Sequence, residues 1–425
     1  MPLAGEGDHR HIARAVAGGA VYFITRDEEI LAGTQALRNV LRIVVLRPES
    51  LILHLDRKRS TGDYEPEALH GTSIQSVAAG EISERQFTAA FLNYGAGERA
   101  VDLHEILRNA LATPKTSRAR IYRSSDGQPL GTLITAVQDQ QVSVKVIRVG
   151  RADRVGHAVA RQLAFLPRQF AAEQSIPRAV IEDARPSPAV MRSLQDEYFQ
   201  VDGQGRWVCE VRRGVYHATE LAADEWAEQA TASPQAAAAL ERRWWPMKLV
   251  GTGLPTFMIA IHPTWAAQLF ETNLANATLF PRSLDLGLSR EHVYYRRPGW
   301  GGGLASPARI LWYVKGGTIG SPVGYLAGVS QLAEMVVGAP GPLYRRFARL
   351  GVWDERQVRK AAGSNYTVMA LRFLDTELFA RPLELATLRA AYTQAGLSFK
   401  APQSPTLVHE HMFCLLYRRA SAYGS

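Results

Sequence analysis

The sequence has almost no cysteine, and this scarcity excludes two classes of protein. Its two cysteines, Cys209 and Cys414, lie far apart, each in an apolar run that is typical of a strand. A disulfide framework needs several paired cysteines, and a thiolate metal site needs closely spaced ones. We therefore expect two buried free thiols and no metal site.

Long apolar runs are missing as well. No run approaches the roughly 20 residues that span a bilayer, and the first residues, MPLAGEGDHRHIARA, lack the charged, apolar and cleavage regions of a signal peptide. Hydrophobic residues make up 46% of the chain and charged residues 21%, which is the balance of a folded globular protein. These features predict a cytoplasmic protein with no membrane partner.

What the chain does have is length and positive charge. At 425 residues it exceeds the size at which single cores stop growing, about 250 to 300 residues, so two or three domains are expected. The net charge of +9 favours an anionic partner such as nucleic acid or a phosphorylated cofactor. Cations stand beside aromatic rings at residues 242–245, 294–297 and 344–347, a mixture that suits stacked bases and phosphates.

The first two segments have different patterns. Residues 1–58 alternate helix, strand, helix and strand, which predicts an α/β fragment, and the polar residues 57–71 predict a linker. In residues 71–221, three alternating runs, the first two joined by Asp126-Gly127, predict an antiparallel meander. A helix at 157–174, a strand at 178–183, a helix at 188–198 and a strand at 206–213 complete an α+β order, followed by an alanine-rich connector at 231–243.

Residues 246–425 are richer in glycine and aromatics. Strands are predicted at TFMIAIH, HVYYRR, ARILWYV, YLAGVSQLAEMVV, YTVMALRFLDTEL and HMFCLLYRR. Helices are predicted at 264–273, 341–350, 354–362 and 383–395. This order predicts a small β-barrel with inserted helices, so the whole chain is expected to be an α+β multidomain protein.

The stretch VSVKVIRVGRADRVGHAVARQL carries the strongest functional signal. A β-branched strand leads into a short basic loop with a glycine, and the loop opens a helix. Free amides and the helix dipole favour negative charge at such a point, and Arg151 and Arg154 can add charge-assisted bonds. The pattern predicts a pyrophosphate site.

This stretch resembles the acetyl-CoA loop of the GCN5-related N-acetyltransferase (GNAT) family. The family's loop has arginine or glutamine followed by x-x-Gly-x-Gly/Ala, and this chain has RADRVG from Arg151 to Gly156, with Arg154 in place of the middle glycine. The resemblance implies a mixed sheet with helices and acetyl-CoA as cofactor, its pantetheine arm lying along the strand backbone. The residues it assigns to the cofactor are Val146, Ile147, Arg148, Val149, Arg151, Arg154, Val155, Gly156 and His157.

The same resemblance suggests catalytic residues. A carboxylate or an ordered water removes a proton from the acceptor amine, and a tyrosine often protonates the thiolate leaving group. Glu182 and Asp183 are the candidate bases and Tyr198 the candidate acid. Aligning Phe199 with the family's terminal Gly-Phe places Leu194, rather than Tyr198, at the usual acid position.

Residues 1–58 resemble the second half of a PIN-type nuclease domain, through Asp8 before a helix and the strands VYFITRD and IVVL. Such nucleases hold divalent ions with clustered acids. Asp8 and Asp27 match the later acids, and the earlier acids have no counterpart. A non-catalytic fragment is therefore expected.

Residues 246–425 resemble the ASCH group of PUA-like barrels through PTFMIAIHPTWAAQLF, ARILWYV and VMALRFLDTEL. The group's Gly-x-Lys-x-x-Glu-x-Arg signature is absent after the first helix, so the resemblance implies RNA binding rather than ASCH catalysis. Stacking is expected from Tyr294 and Tyr344, whereas Trp312 either stacks or fills the barrel core. The expected phosphate contacts are Arg296, Arg297, Lys315, Arg345 and Arg346.

Together the resemblances imply an acetyl-CoA-dependent N-acetyltransferase that acts on a nucleic acid or a nucleic-acid-associated substrate. RNA or another nucleic acid is the expected partner of residues 246–425. Two alternatives stay open. One is a non-catalytic RNA-binding protein on a degenerate GNAT scaffold, which Arg154 and the phase of Tyr198 would favour. The other is part of a PIN-type nuclease system that a partner segment completes.

Overall fold

The computed structural model describes most of the chain beyond residue 73 and parts of the chain before it. The described residues are 6–20, 22–27, 30–31, 41, 43–46, 74–124, 127–150, 154–221, 224–270, 290–298, 303–316, 324–347, 350–351, 353–363 and 365–421. The chain forms two compact units, Met1–Asp63 and Tyr64–Ser425. None of the described helices is long and apolar enough to cross a bilayer.

The first unit contains helix α1 (Glu6–Ala17) and the short strands β1 (Tyr22–Ile24) and β2 (Val44–Leu46). The strands are parallel, with Tyr22 opposite Val44. Ile12, Ile43 and Val45 pack together as a small core. The predicted helix after β1 and the predicted linker at 57–71 lie largely or wholly outside the described residues.

The second unit begins with a seven-stranded sheet in the order β3-β4-β5-β6-β7-β9-β8. Only the β6–β7 pair is parallel. The predicted meander is present as β4, β5 and β6. The elements are β3 (Gln75–Ala78), α2 (Glu84–Phe91), α3 (Ala100–Ala112), β4 (Ser117–Arg123), β5 (Pro129–Gln138), β6 (Gln141–Val149), α4 (Arg154–Glu173), β7 (Arg178–Ile181), α5 (Pro188–Asp196), β8 (Gln200–Val201) and β9 (Trp207–Glu210).

Helices cover both faces of this sheet. Val142, Val144 and Ile147 of β6 share a core with α4 and α5, whereas Val146, from the opposite face, shares a core with α2 and α3. Helix α4 approaches β5 closely because Gly131 has no side chain. A Cβ atom there would lie 2.8 Å from both Leu163 and Val159.

The predicted connector at 231–243 lies almost wholly in two helices. The segment between the two large sheets comprises β10 (Val215–His217), α6 (Asp224–Ala232), α7 (Pro234–Arg243) and β11 (Lys248–Val250). Strands β10 and β11 pair in parallel. Pro234 occupies the first turn of α7, and Ser233 caps it by accepting from the Ala236 N–H at 3.1 Å.

The last part of the unit is a six-stranded sheet in the order β13-β16-β15-β14-β12-β17. Its described edge strands, β13 and β17, do not pair with each other, so the predicted closed barrel is wrong and the sheet is open. The elements are β12 (Thr256–Ile261), α8 (Pro263–Phe270), β13 (Glu291–Arg296), β14 (Ala308–Val314), β15 (Tyr325–Gly338), α9 (Pro340–Phe347), α10 (Glu355–Lys360), β16 (Val368–Glu384), α11 (Leu385–Gln394), β17 (Thr406–Val408) and α12 (Glu410–Ala420).

The predicted strand HMFCLLYRR is also wrong, because these residues form helix α12, including Cys414. Met412, Phe413, Leu416 and Tyr417 are buried on one side of the helix. Their spacing of three and four residues is helical, and none of the nine residues is β-branched. The strand prediction rests on the apolar content of this run alone, without regard to the spacing of its apolar residues.

A buried group of ion pairs joins the central sheet to the C-terminal sheet. Arg290 pairs with Glu197, at the end of α5, and with Asp375, in β16. Arg161 of α4 also pairs with Glu197, and Arg242 Nε lies 3.3 Å from Asp375 Oδ2. Burial raises the pKa of Asp375, but Arg290 and Arg242 outweigh it and keep that pKa below its usual value. The two sheets are therefore linked through charges that water does not screen.

Candidate functional site

The site begins where two parallel strands part. Strand β7 pairs with β6 only from Gln141 to Val144, and β6 then continues to Val149 without β7 beside it. On the other side, β5 stays paired with β6 through Val149. One edge of β6 is therefore left without a strand partner over its last five residues.

Side chains occupy this edge at Ile147. The Asp183 carboxylate accepts from the Ile147 N–H at 2.9 Å, and Arg148 donates to the Ile147 carbonyl at 3.0 Å. Asp183 and Arg148 also form an ion pair, with side chains 3% and 4% exposed. Backbone groups in a strand alternate between edges, so Val149 presents its own N–H and C=O to the same edge as Ile147.

A second carboxylate, that of Glu98, also binds Arg148. Arg148 Nη2 lies 3.1 Å from Glu98 Oε1, and the Glu98 side chain is 4% exposed. Glu98 also accepts from the Asn93 N–H at 2.8 Å. Sequence reasoning missed Glu98, because nothing local marks a partner that lies 50 residues from Arg148.

The predicted phosphate loop precedes α4. Arg151, together with residues 152 and 153, lies outside the described residues, and so does the side chain of Arg154, the first residue of α4. Gly156 is buried in the first turn, and Val155 and His157 are half-buried. The 20-residue helix α4 begins at Arg154, five positions after β6 ends at Val149. A helix start in this position favours an anion.

Glu182 follows β7 and belongs to a polar group. Its carboxylate accepts from Ser143 Oγ at 2.8 Å and from Lys145 Nζ. Burial raises the pKa of Glu182, but the hydrogen bonds from Lys145 and Ser143 outweigh it, so that pKa lies below its usual value. The carboxylate is ionised at neutral pH. Sequence reasoning gave no role to Ser143 or Lys145, although both belong to the strand it singled out.

Tyr198, the candidate acid, follows α5 in a left-handed conformation, with φ of 63°. The Arg243 guanidinium is 6.0 Å from its ring. Leu194, which the family alignment puts at the acid position, is fully buried in the core. Among the described residues, no hydrogen bond or ring contact joins Tyr198 to Glu182 or Asp183. These two acidic residues directly follow β7, at the point where it parts from β6.

The predicted nucleic-acid residues divide by exposure. Tyr294 is 7% exposed and packs edge-on against Trp312, so it cannot stack on a base. Trp312 fills the core and donates to Ser330 at 2.8 Å. Arg296 and Tyr344 are half-buried, and Arg346 pairs with Glu334. Exposed side chains are those of Arg297, Lys315, Arg345 and Arg346.

Sequence reasoning missed the aromatic ring of Tyr366, which lies beside Arg359. Tyr366 is 53% exposed and has φ of 52°, a strained value for a non-glycine residue. Its hydroxyl accepts from Arg359 at 2.8 Å. Side-chain nitrogens of Arg345 and Arg359 both lie within 4 Å of the position that a Cβ atom on Gly341 would occupy, so these two cations are neighbours. We call Arg297, Arg345, Arg359, Lys360 and Tyr366 the basic surface.

Only part of the amino-terminal acidic pair is described. Asp27 is exposed and accepts from the Ile30 N–H at 3.2 Å, as a carboxylate does at a turn. The side chain of Asp8 lies outside the described residues. Among the side chains that the structure describes, no group of three His, Cys, Asp or Glu residues could hold a metal ion.

Comparisons with known proteins give partial structural similarities. No family model matches the sequence, and no curated protein matches it significantly. The chain is similar to ASCH from Zymomonas mobilis, at 22% identity, with 38% of this chain and 92% of that chain covered and a TM-score of 0.29. It is also similar to a GNAT family acetyltransferase from Staphylococcus aureus, at 12% identity, with 33% and 99% covered and a TM-score of 0.27. A GNAT family N-acetyltransferase from Escherichia coli, solved in complex with CoA, gives 13% identity, 33% and 82% covered and a TM-score of 0.25.

Proposed function

We propose that residues 74–221 form a GNAT-type N-acetyltransferase that uses acetyl-CoA. The observation that carries the proposal is the parting of β6 from β7 next to the start of α4. An extended ligand with amide groups can pair with a free strand edge. Phosphates at one end of that ligand would meet the positive end of the α4 dipole, at the first turn that contains Val155, Gly156 and His157.

The chain's own residues suggest how the reaction proceeds. Bound acetyl-CoA supplies an activated acetyl thioester. Glu182, ionised and located where the strands part, is suited to attract an ammonium group and to take the proton that the amine releases on attack. Lys145 and Ser143 orient this carboxylate. A base with a depressed pKa is weak, so positioning is the larger part of its role.

Calorimetric titration with acetyl-CoA tests the cofactor site. We expect binding to the wild-type protein and a loss of at least tenfold in affinity for Arg154→Glu, because the reversed charge repels the pyrophosphate. Arg85→Glu is the matched control. Arg85 is exposed on α2, so it makes the same net charge change outside the predicted phosphate loop and should leave the affinity unchanged.

We further propose that the C-terminal sheet carries RNA as the substrate or as the carrier of the substrate. The basic surface supports this. Residues 340–367 contain six basic and two acidic residues, a net charge of +4 out of +9 for the chain. Arg359 is paired with Glu355 at 2.6 Å, so phosphates would contact the other cations of the basic surface, and a base would stack on the exposed Tyr366 ring.

A second candidate function follows from the closed edge at Ile147. If the protein binds RNA but no acyl-CoA at any concentration, the central sheet is a scaffold and the molecule is a non-catalytic RNA-binding protein. A role beside a PIN-type nuclease would instead require a partner segment that supplies the missing acids. Incubating the protein and such a partner segment with a divalent metal ion and RNA would detect RNA cleavage, and Asp27→Asn should abolish it.

A further inference from the structure

The closed edge of β6 is a feature of this chain's own residues. At Ile147 the N–H is bonded to Asp183 Oδ2 at 2.9 Å and the carbonyl to Arg148 Nη1 at 3.0 Å. A carboxylate oxygen is an acceptor, as an amide carbonyl is, and a guanidinium N–H is a donor, as an amide N–H is. The two side chains thus reproduce the hydrogen bonds that an extended amide ligand would make there.

We propose that Asp183 and Arg148 form a latch on this edge, and that acetyl-CoA pairs with Ile147 only after the Asp183 carboxylate moves away. The inference rests on the proposed function. The Asp183 carboxylate competes with the cofactor for the Ile147 N–H, so closure of the latch weakens binding and its opening precedes full binding.

The surroundings let the latch open without leaving the buried Arg148 unpaired. When Asp183 leaves, Arg148 keeps Glu98 at 3.1 Å. Asp183 lies beyond the end of β7, where its other oxygen accepts from the Arg185 N–H at 2.9 Å. That bond ties it to a turn rather than to the sheet.

The closed state is also incompletely bonded. Arg148 Nε is buried and has no hydrogen-bond partner among the described residues. Burial lowers the pKa of Arg148, and Glu98 only partly offsets this. A buried group with an unmade hydrogen bond is held less firmly than a fully bonded one.

Affinity for acetyl-CoA in Asp183→Ala tests the latch. Removing the carboxylate frees the Ile147 N–H, and we expect acetyl-CoA to bind at least tenfold more tightly by calorimetry. A hydrogen bond to a charged group changes an equilibrium constant by roughly ten- to a hundredfold. Asp202→Ala is the matched control, since it removes another arginine-paired carboxylate from the same sheet and should leave the affinity unchanged. Thermal melting verifies that each variant is folded.

Stopped-flow mixing of the wild-type protein with acetyl-CoA gives a second test that needs no variant. A latch that must open first makes the observed rate reach a plateau as acetyl-CoA increases. A rate that rises linearly, or an Asp183→Ala affinity equal to or weaker than that of the wild type, overturns the latch and leaves the transferase proposal standing. If neither protein binds acetyl-CoA, the proposed function falls, and the latch falls with it.

Discussion

Glu182 shows how neighbouring residues set the chemistry of one carboxylate. Its pKa is lowered although burial alone would raise it, because Lys145 and Ser143 donate to its ionised form. In Lys145→Met the ionised form loses its cation while the burial remains. We expect the pKa of Glu182 to rise, so that its carboxyl titrates at higher pH than in the wild type.

A ¹³C NMR titration of the Glu182 carboxyl measures this directly and needs no acceptor substrate. Lys145→Arg is the control, because it keeps a cation beside Glu182 and should keep the pKa of Glu182 low. An unchanged titration in Lys145→Met would show that Lys145 does not control the carboxylate.

At the scale of single elements, packing between α4 and β5 depends on one missing side chain. Gly131→Ala would place a Cβ 2.8 Å from Leu163 and Val159, closer than real contacts allow. We expect about 1 to 3 kcal/mol of destabilisation from overpacking. Gly203→Ala is the control, because a Cβ there meets nothing within 4 Å. Denaturant unfolding of both variants measures the difference, and equal stabilities would contradict the close approach.

Helix α9 offers a test of the basic surface with two adjacent arginines. Arg345 has no ion pair in the described part of the chain, whereas Arg346 pairs with Glu334. For single-stranded RNA, each phosphate contact contributes about −0.7 to the slope of log K against log salt. Arg345→Gln should therefore flatten the slope by about 0.7, and Arg346→Gln by less.

Loss of the exposed ring should have a different signature. Tyr366→Ala should weaken binding of an oligouridylate by about 1 to 3 kcal/mol with little change in slope. If the protein does not bind the oligouridylate at low salt, or if Arg345→Gln and Arg346→Gln have identical effects on the slope, the basic surface does not bind RNA.

Element patterns explain which parts of the fold could be predicted. The meander, α4 and β7 follow from alternation and helical periodicity, which are local. The run HMFCLLYRR misled because a short apolar run does not by itself distinguish strand from helix. At the site, β6 and the loop were found from sequence, but the bonds of Arg148 to Glu98 and of Asp183 to Ile147 join distant residues. Only the folded chain brings those partners together.

For the whole second unit, Arg290 is the clearest link between the two large sheets. It pairs with Glu197 and Asp375, whose side chains are 1% and 3% exposed. Removing one partner of a buried pair costs about 3 to 5 kcal/mol, because a charge is left buried. In Arg290→Met we expect lower stability and two separate unfolding transitions in calorimetry. Arg212→Met, whose partner Glu210 is 62% exposed, is the control. A single transition at the wild-type temperature would show that Arg290 does not couple the sheets.

The most direct test of the central claim is the crystal structure of the protein grown with saturating acetyl-CoA. We predict density for the pyrophosphate at the first turn of α4, beside Val155, Gly156 and His157, and for the pantetheine arm along Val149. The Asp183 carboxylate should have moved away from Ile147. A cleft still closed by Asp183 and Arg148, with no cofactor density at the start of α4, would contradict the account.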